Sequence, residues 1–172
     1  MNRRPSPNEC SSEQARYIAL VPDGDVVALL RAQADELAAI AARVPQERET
    51  FAYAPEKWTV RQVFGHLGDG ERIFGYRALC ISRGETASLP GFDENEYVAN
   101  SMSSSRELRD LAEELVLTRR ANVHMFESFD DAAWRQTGSA NGTPVSVSVI
   151  AWVMVGHTRH HLNVLRDRYG VA

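Results

Sequence analysis

The feature that most restricts what this chain can fold into is an apolar run that leads straight into histidines. Val149-Ile150-Ala151-Trp152-Val153-Met154-Val155 is followed at once by Gly156-His157-Thr158-Arg159-His160-His161, so three of the five histidines fall within five consecutive positions. Ile150, Met154, His157, His161, Leu165 and Arg168 recur at spacings of three and four, which is one face of a helix, and Gly170 stands where a helix would stop. Two imidazoles one turn apart on a buried face are costly unless their nitrogens find partners, and one divalent cation would satisfy both. His157 with His160 is as compatible with helical spacing as His157 with His161, so spacing leaves both pairs open. A helical pair needs a third ligand from elsewhere. His66 is the other histidine that borders a strongly periodic apolar face, whereas His124 lies off its stripe and is expected to be solvated.

The rest of the chain supplies helices to bring those residues together. Its 172 residues suffice for a single core, with no disulfide or metal needed merely to fold. Pro22-Asp23-Gly24-Asp25 is helix-start chemistry, and Val26, Leu29, Leu30, Leu37, Ile40, Ala41 and Val44 follow at helical spacing up to Pro45. Thr59-Val60-Arg61-Gln62 fits a capping box, which starts a second helix carrying Val60, Val63, Phe64, Leu67, Ile73, Phe74 and Leu79 to about Ser82. The third helix is expected to begin at the serines 103–105 and to bury Leu108, Leu111, Leu115, Asn122, Met125 and Phe129. The fourth is the histidine helix. Residues 1–16, with Pro5 and Pro7, read as a mobile tail, and 17–172 as one domain.

Two connections are long. Residues 85–105 can run back along a helix of about 35 Å, because extended chain covers roughly 3.3 Å per residue. A short helix is expected there from Asp93. Residues 130–144 contain Asn141-Gly142, a pair suited to a small hairpin. Four amphipathic helices with long crossovers predict an all-α four-helix bundle.

Around His66 the sequence reads Gly65-His66-Leu67-Gly68-Asp69-Gly70. Each glycine costs a helix interior roughly 1 kcal/mol against alanine, so the segment needs space. Gly70, one turn past His66, is expected to border a pocket for water or substrate, with close helix packing as the alternative. Asp69 is a candidate partner for a ligand imidazole or a water in the site, against a plain solvated role. Arg77, nearly on the His66 face and roughly 16 Å along the axis, is placed to pair with Asp93 or Glu94 or to take an anionic substrate group. The loop that carries Asp93 and Asn95 is expected to roof the pocket in part.

The net charge of -4 gives no basic patch for nucleic acid, and the apolar run 145–156 is too short to span a bilayer. The start holds two arginines without an apolar stretch after them, and Cys10 and Cys80 read as free thiols in a reducing compartment. A cytoplasmic location is expected, with a small molecule as partner and a homodimer as the assembly.

The stretch Lys57-Trp58-Thr59-Val60-Arg61-Gln62-Val63-Phe64-Gly65-His66-Leu67-Gly68-Asp69, followed far downstream by His157-Thr158-Arg159-His160-His161, resembles the DinB-like family of metal-dependent enzymes. Tyr53-Ala54-Pro55 and Leu89-Pro90-Gly91-Phe92-Asp93-Glu94-Asn95 look like stretches of one bacterial branch. The resemblance, over about residues 20–170, implies an up-down-down-up bundle with His66, His157 and His161 as metal ligands and His160 as a neighbour or a supporting partner of a ligand. Three imidazoles leave a coordination position for water, as at catalytic metals. Zinc or nickel suits them best, with manganese or iron also admissible. The implied activity is hydrolysis or transfer of a low-molecular-weight thiol; the alternative is a non-catalytic stress-response or binding protein braced by the metal. Metal affinity is expected to fall as pH drops through the ordinary imidazole value of about 6.5.

Overall fold

The computed structural model describes residues 3–171. Seven α-helices are found among them: α1 (Ser12–Ile18), α2 (Val26–Arg43), α3 (Val60–Ser82), α4 (Glu94–Asn100), α5 (Leu108–Glu127), α6 (Asp131–Arg135) and α7 (Val147–Val164), the last running on into a π-turn at Leu165–Tyr169. Two short strands, β1 (Thr137–Ala140) and β2 (Thr143–Ser146), form a hairpin. The four long helices make a ring in which α5 packs on α2 and α3, and α7 packs on the same two.

Local chemistry accounts for the helix starts. Asp25 accepts from the N–H groups of Val27 and Ala28 at the head of α2, and Thr59 and Gln62 close the expected capping box on α3. The head of α5 differs from the sequence expectation. Residues Ser103–Ser105 form a 3-10 turn of their own, and α5 begins at Leu108, whose N–H is taken by the Glu49 carboxylate from the α2–α3 connection. On α3 the inward face past Gly70 carries Gly75, Ala78 and Ile81, while Ile73 is half-buried and Leu79 exposed. At the end of α7 the π-turn admits an extra residue, so Tyr169 is buried where Arg168 was expected, and Arg168 faces solvent.

Two apolar clusters fill the ring, one on each side of a polar layer. The first holds Val26, Val27 and Leu30 of α2 with Ala78 and Ile81 of α3, Val123 and Phe126 of α5, and Val147 to Val155 of α7. The second holds Leu37 and Ile40 of α2, Val60 to Leu67 of α3, Leu108 to Val116 of α5, Leu162 of α7 and Leu165 of the π-turn. Between them lie Gln33, His66, Glu71, Arg119, His157 and Thr158, all buried.

The segment expected to be a mobile tail is built into the fold; Met1 and Asn2 of that segment lie outside the described residues. A capping box of Ser11 and Gln14 starts α1, which packs on α7. The contact is close: a Cβ on Gly156 would lie 2.2 Å from the Tyr17 carbonyl oxygen. Arg4 sits over the Trp152 ring and donates to the carbonyls of Ile18 and Val21. The two long connections are also stitched together. Leu89 N–H donates to the Ser139 carbonyl and Asn141 N–H to the Leu89 carbonyl, while Asn141 and Gly142, both at positive φ, make the expected hairpin turn.

Candidate metal centre

His66 enters the polar layer from α3, one turn before Gly70, and His157 and His161 enter from α7. Their Nε2 atoms converge: His66 to His157 is 2.9 Å and His161 to His157 is 3.2 Å. They are the one set of three potential ligands among the described residues gathered within 4.8 Å. Imidazoles alone satisfy this arrangement poorly. A neutral ring has one N–H for two nitrogens, so three nitrogens aimed at one point cannot all be donors and acceptors to each other. A cation facing three lone pairs resolves that. With metal–nitrogen bonds of about 2.05 Å, ligand separations of roughly 2.9 Å (at right angles) to 3.3 Å (tetrahedral) are expected, and the two short distances fall in this range.

The protonation states agree. Burial lowers the His66 pKa to about 4, against a raising influence from Glu94 and with a smaller lowering by His160. His157 and His161 are held well below the ordinary value, first by burial and then by neighbouring histidines. All three are therefore neutral at pH 7 and ready to donate lone pairs. With the His66 pKa lowered to about 4, loss of metal on acidification is expected at a lower pH than the ordinary imidazole value. His66 Nδ1 is buried and has no hydrogen-bond partner among the described residues, and the Trp58 ring packs against the imidazole, 4.7 Å away between centroids.

The histidines form one wall of a cavity of about 350 Å³. Tyr17 of α1, Trp58 just before α3, Phe74 and Arg77 of α3, and Phe92 and Glu94 from the α3–α5 connection also line it, with Asn141 and Thr143 from the hairpin. Thus α1 and both long connections contribute walls. The sequence stripes gave no hint of Tyr17, although the Ser11-Ser12-Glu13-Gln14 capping signature upstream was readable.

The remaining candidates separate clearly. His160 lines the cavity half-buried, its ring 5.0 Å from that of His161 and 5.8 Å from that of Tyr17, and it is not in the converging set. Gly70 borders the site differently from expectation: a Cβ there would lie 3.3 Å from His157 Cε1, so the glycine makes room for the ligand ring and not for substrate. Asp69 is directed to a different cavity with Arg72 and Ser103, and burial raises its pKa. Asp93 caps α4, and neither it nor Asn95 reaches the histidine cavity; their neighbours Phe92 and Glu94 do. Arg77 makes no ion pair with Asp93 or Glu94. It pins the loop through the Pro90 carbonyl at 2.7 Å. His124 is exposed beside Glu127, as its position off the stripe implied.

Sequence reasoning missed the other half of the polar layer. Arg119 donates to Glu71 (2.7 Å), Gln33 (2.8 Å) and Thr158 (2.9 Å), and Gln33 in turn donates to the Val155 carbonyl. Asn122 donates to the other Glu71 oxygen. The four central helices are thereby tied together next to the histidines.

The DinB superfamily model matches residues 29–165, most of the chain. The chain belongs to the DinB superfamily. Its fold is also found in solved structures. One is described as "YfiT from Bacillus subtilis is a probable metal-dependent hydrolase with an unusual four-helix bundle topology"; it aligns with a TM-score of 0.76 at 17% identity, over 99% of this chain and 95% of that one. The mycothiol-dependent maleylpyruvate isomerase aligns with a TM-score of 0.65 at 16% identity, over 90% of this chain, which spans 63% of that enzyme's length. No curated protein matches significantly. As in the sequence reading, no helix among the described residues of this DinB-superfamily chain is long and apolar enough to cross a membrane.

Proposed function

We propose that this protein is a metal-dependent hydrolase of a small molecule, with His66, His157 and His161 as ligands of a divalent cation, zinc or nickel first. The observation that carries the reading is the convergence of three neutral Nε2 atoms on the wall of a cavity. A cation held by three imidazoles supplies Lewis acidity in its remaining coordination position. The chain's own part is to keep the imidazoles unprotonated, to fix them with α3, α7 and the Trp58 ring, and to enclose the substrate between α1 and the two long connections. A merely bracing metal fits less well, because two apolar clusters and the Arg119 network already join the helices. The passage of α2 and α7 through the two clusters in one order, and of α3 and α5 in the reverse order, supports the up-down-down-up arrangement.

Thiol-dependent transfer is the second reading, favoured by the structural likeness to the mycothiol-dependent isomerase. The test is turnover of ester and amide panels by metal-loaded, untagged protein, run beside electrophiles with and without low-molecular-weight thiols. Hydrolysis that is abolished by chelation and restored by zinc or nickel supports the first reading. Turnover only with a thiol present selects the second.

A further inference from the structure

Arg77 is the one arginine or lysine among the described residues of the cavity wall, and the metal does not explain its situation. It is 9% exposed, yet no carboxylate among the described residues lies within ion-pair distance of it. Its recorded hydrogen bond uses one of five N–H donors, on the Pro90 carbonyl. Phe74 and Phe92 flank the guanidinium, each ring centroid 6.0 Å from Cζ. Burial without a counterion also lowers its pKa. No anion among the described residues answers the charge, and the unpartnered guanidinium nitrogens are not fully buried, so they face open space.

The two carboxylates of the cavity wall, Glu13 and Glu94, do not answer that charge. Both are felt at Tyr17, and Glu94 also at His66, which places their influence at the histidine end. Arg77 stands at the other end of the same wall. The Phe74 ring neighbours both, 5.6 Å from the His157 ring and 6.0 Å from Arg77 Cζ. A guanidinium is suited to a carboxylate, which it can grip with two parallel hydrogen bonds.

We propose that the cavity takes a small molecule bearing a carboxylate, held by Arg77, with the reacting group at His66, His157 and His161. This rests on the histidines being metal ligands, and it names the substrate class of that site. The aromatic rings between the two ends suit an apolar spacer. Arg77 also lines a second, smaller and more open cleft, the outer cleft, with Tyr76, Tyr97 and residues 89–92. Only the inner cavity allows one molecule to reach Arg77 and the histidines together.

The probes are the monohydroxamates of succinic, adipic, suberic and sebacic acids, each compared with its methyl ester, titrated into zinc-loaded protein and followed by calorimetry. The hydroxamate end binds metal, and the ester removes the charge at nearly constant length. The expected result is that one of the longer acids binds roughly tenfold or more tightly than its ester, the difference a charge-assisted pair contributes, and that Arg77→Gln shrinks this preference to less than about threefold. Acids that bind no better than esters in the unaltered protein overturn the proposal, whether or not the variant folds. So does a preference that Arg77→Gln leaves intact, or one that is equal at all four lengths, which would put the anion in the outer cleft. A parallel titration of metal-free protein with octanoate and methyl octanoate separates the two levels of the argument. If zinc does not bind but octanoate is preferred through Arg77, the anion site stands and the metal reading falls; if zinc binds and neither acid series is preferred, the reverse holds.

Discussion

Two buried polar clusters share the middle of this bundle and differ in what completes them. Around Arg119 the chain provides every partner: Glu71 neutralises the charge, Gln33 and Thr158 take the other donors, and Asn122 satisfies the second carboxylate oxygen. Around His157 it provides three nitrogens aimed at one another, an orphaned His66 Nδ1 and an open cavity. Thr158 and His157 are adjacent in sequence and belong to opposite clusters. The closed cluster ties the helices together, and the open one is the proposed metal site.

The largest expected effect breaks the closed cluster. Arg119→Met strands the Glu71 carboxylate in the core, and the loss should be on the order of 3–5 kcal/mol in denaturant unfolding. Adding Glu71→Leu to that variant should recover much of it. A loss of less than about 1 kcal/mol from the single change would contradict that role for the network.

Acid should act on the open cluster. His66 has a folded pKa of about 4 against 6.5 when unfolded, so metal-free protein is at full stability above pH 6.5. As pH falls below 6.5 the unfolded chain takes up a proton that the folded one refuses, and stability declines until about pH 4. At 1.36 kcal/mol per pKa unit the contribution of His66 is capped at roughly 3 kcal/mol. Urea midpoints between pH 7 and 4, measured beside His66→Phe, check the sign and the residue; an unaltered slope in that variant contradicts it.

A smaller effect is expected where α1 meets the histidine helix. Gly156→Ala puts a methyl group against the Tyr17 backbone, and overpacking of this kind costs about 1–3 kcal/mol. Limited proteolysis should then cut near α1 sooner, and metal content should persist. The smallest contrast is between two glycines of α3. A Cβ at Gly68 meets only Arg72 Nη1 at 3.5 Å, so Gly68→Ala should leave metal affinity unchanged and stabilise by up to about 1 kcal/mol. Gly70→Leu, in contrast, should displace the His157 ring and weaken metal binding.

What the sequence revealed follows from the same contrast. The open cluster was legible because histidines inside an apolar period are conspicuous within a single segment, at His66 and again at 157–161. The choice between His160 and His161 was not, because both spacings are helical; it depends on where α3 lies against α7. The closed cluster was invisible for a similar reason. Glu71 and Arg119 each look like ordinary surface residues of one helix, and only packing places them 2.7 Å apart across 48 positions of chain. The π-turn that exchanges Arg168 for Tyr169 and the docking of α1 are likewise set by tertiary contacts, not by local periodicity.

The central claim is that the open cluster binds one divalent cation through three specified histidines. Its most direct test is metal analysis, by mass spectrometry, of untagged protein after equilibration with limiting zinc or nickel. His66→Ala, His157→Ala and His161→Ala would each be compared with His160→Ala and with the unaltered chain. The account predicts one bound ion per chain in the unaltered protein and in His160→Ala, and loss of that ion in each of the other three. Full occupancy in any of those three variants, or loss in His160→Ala, would contradict it.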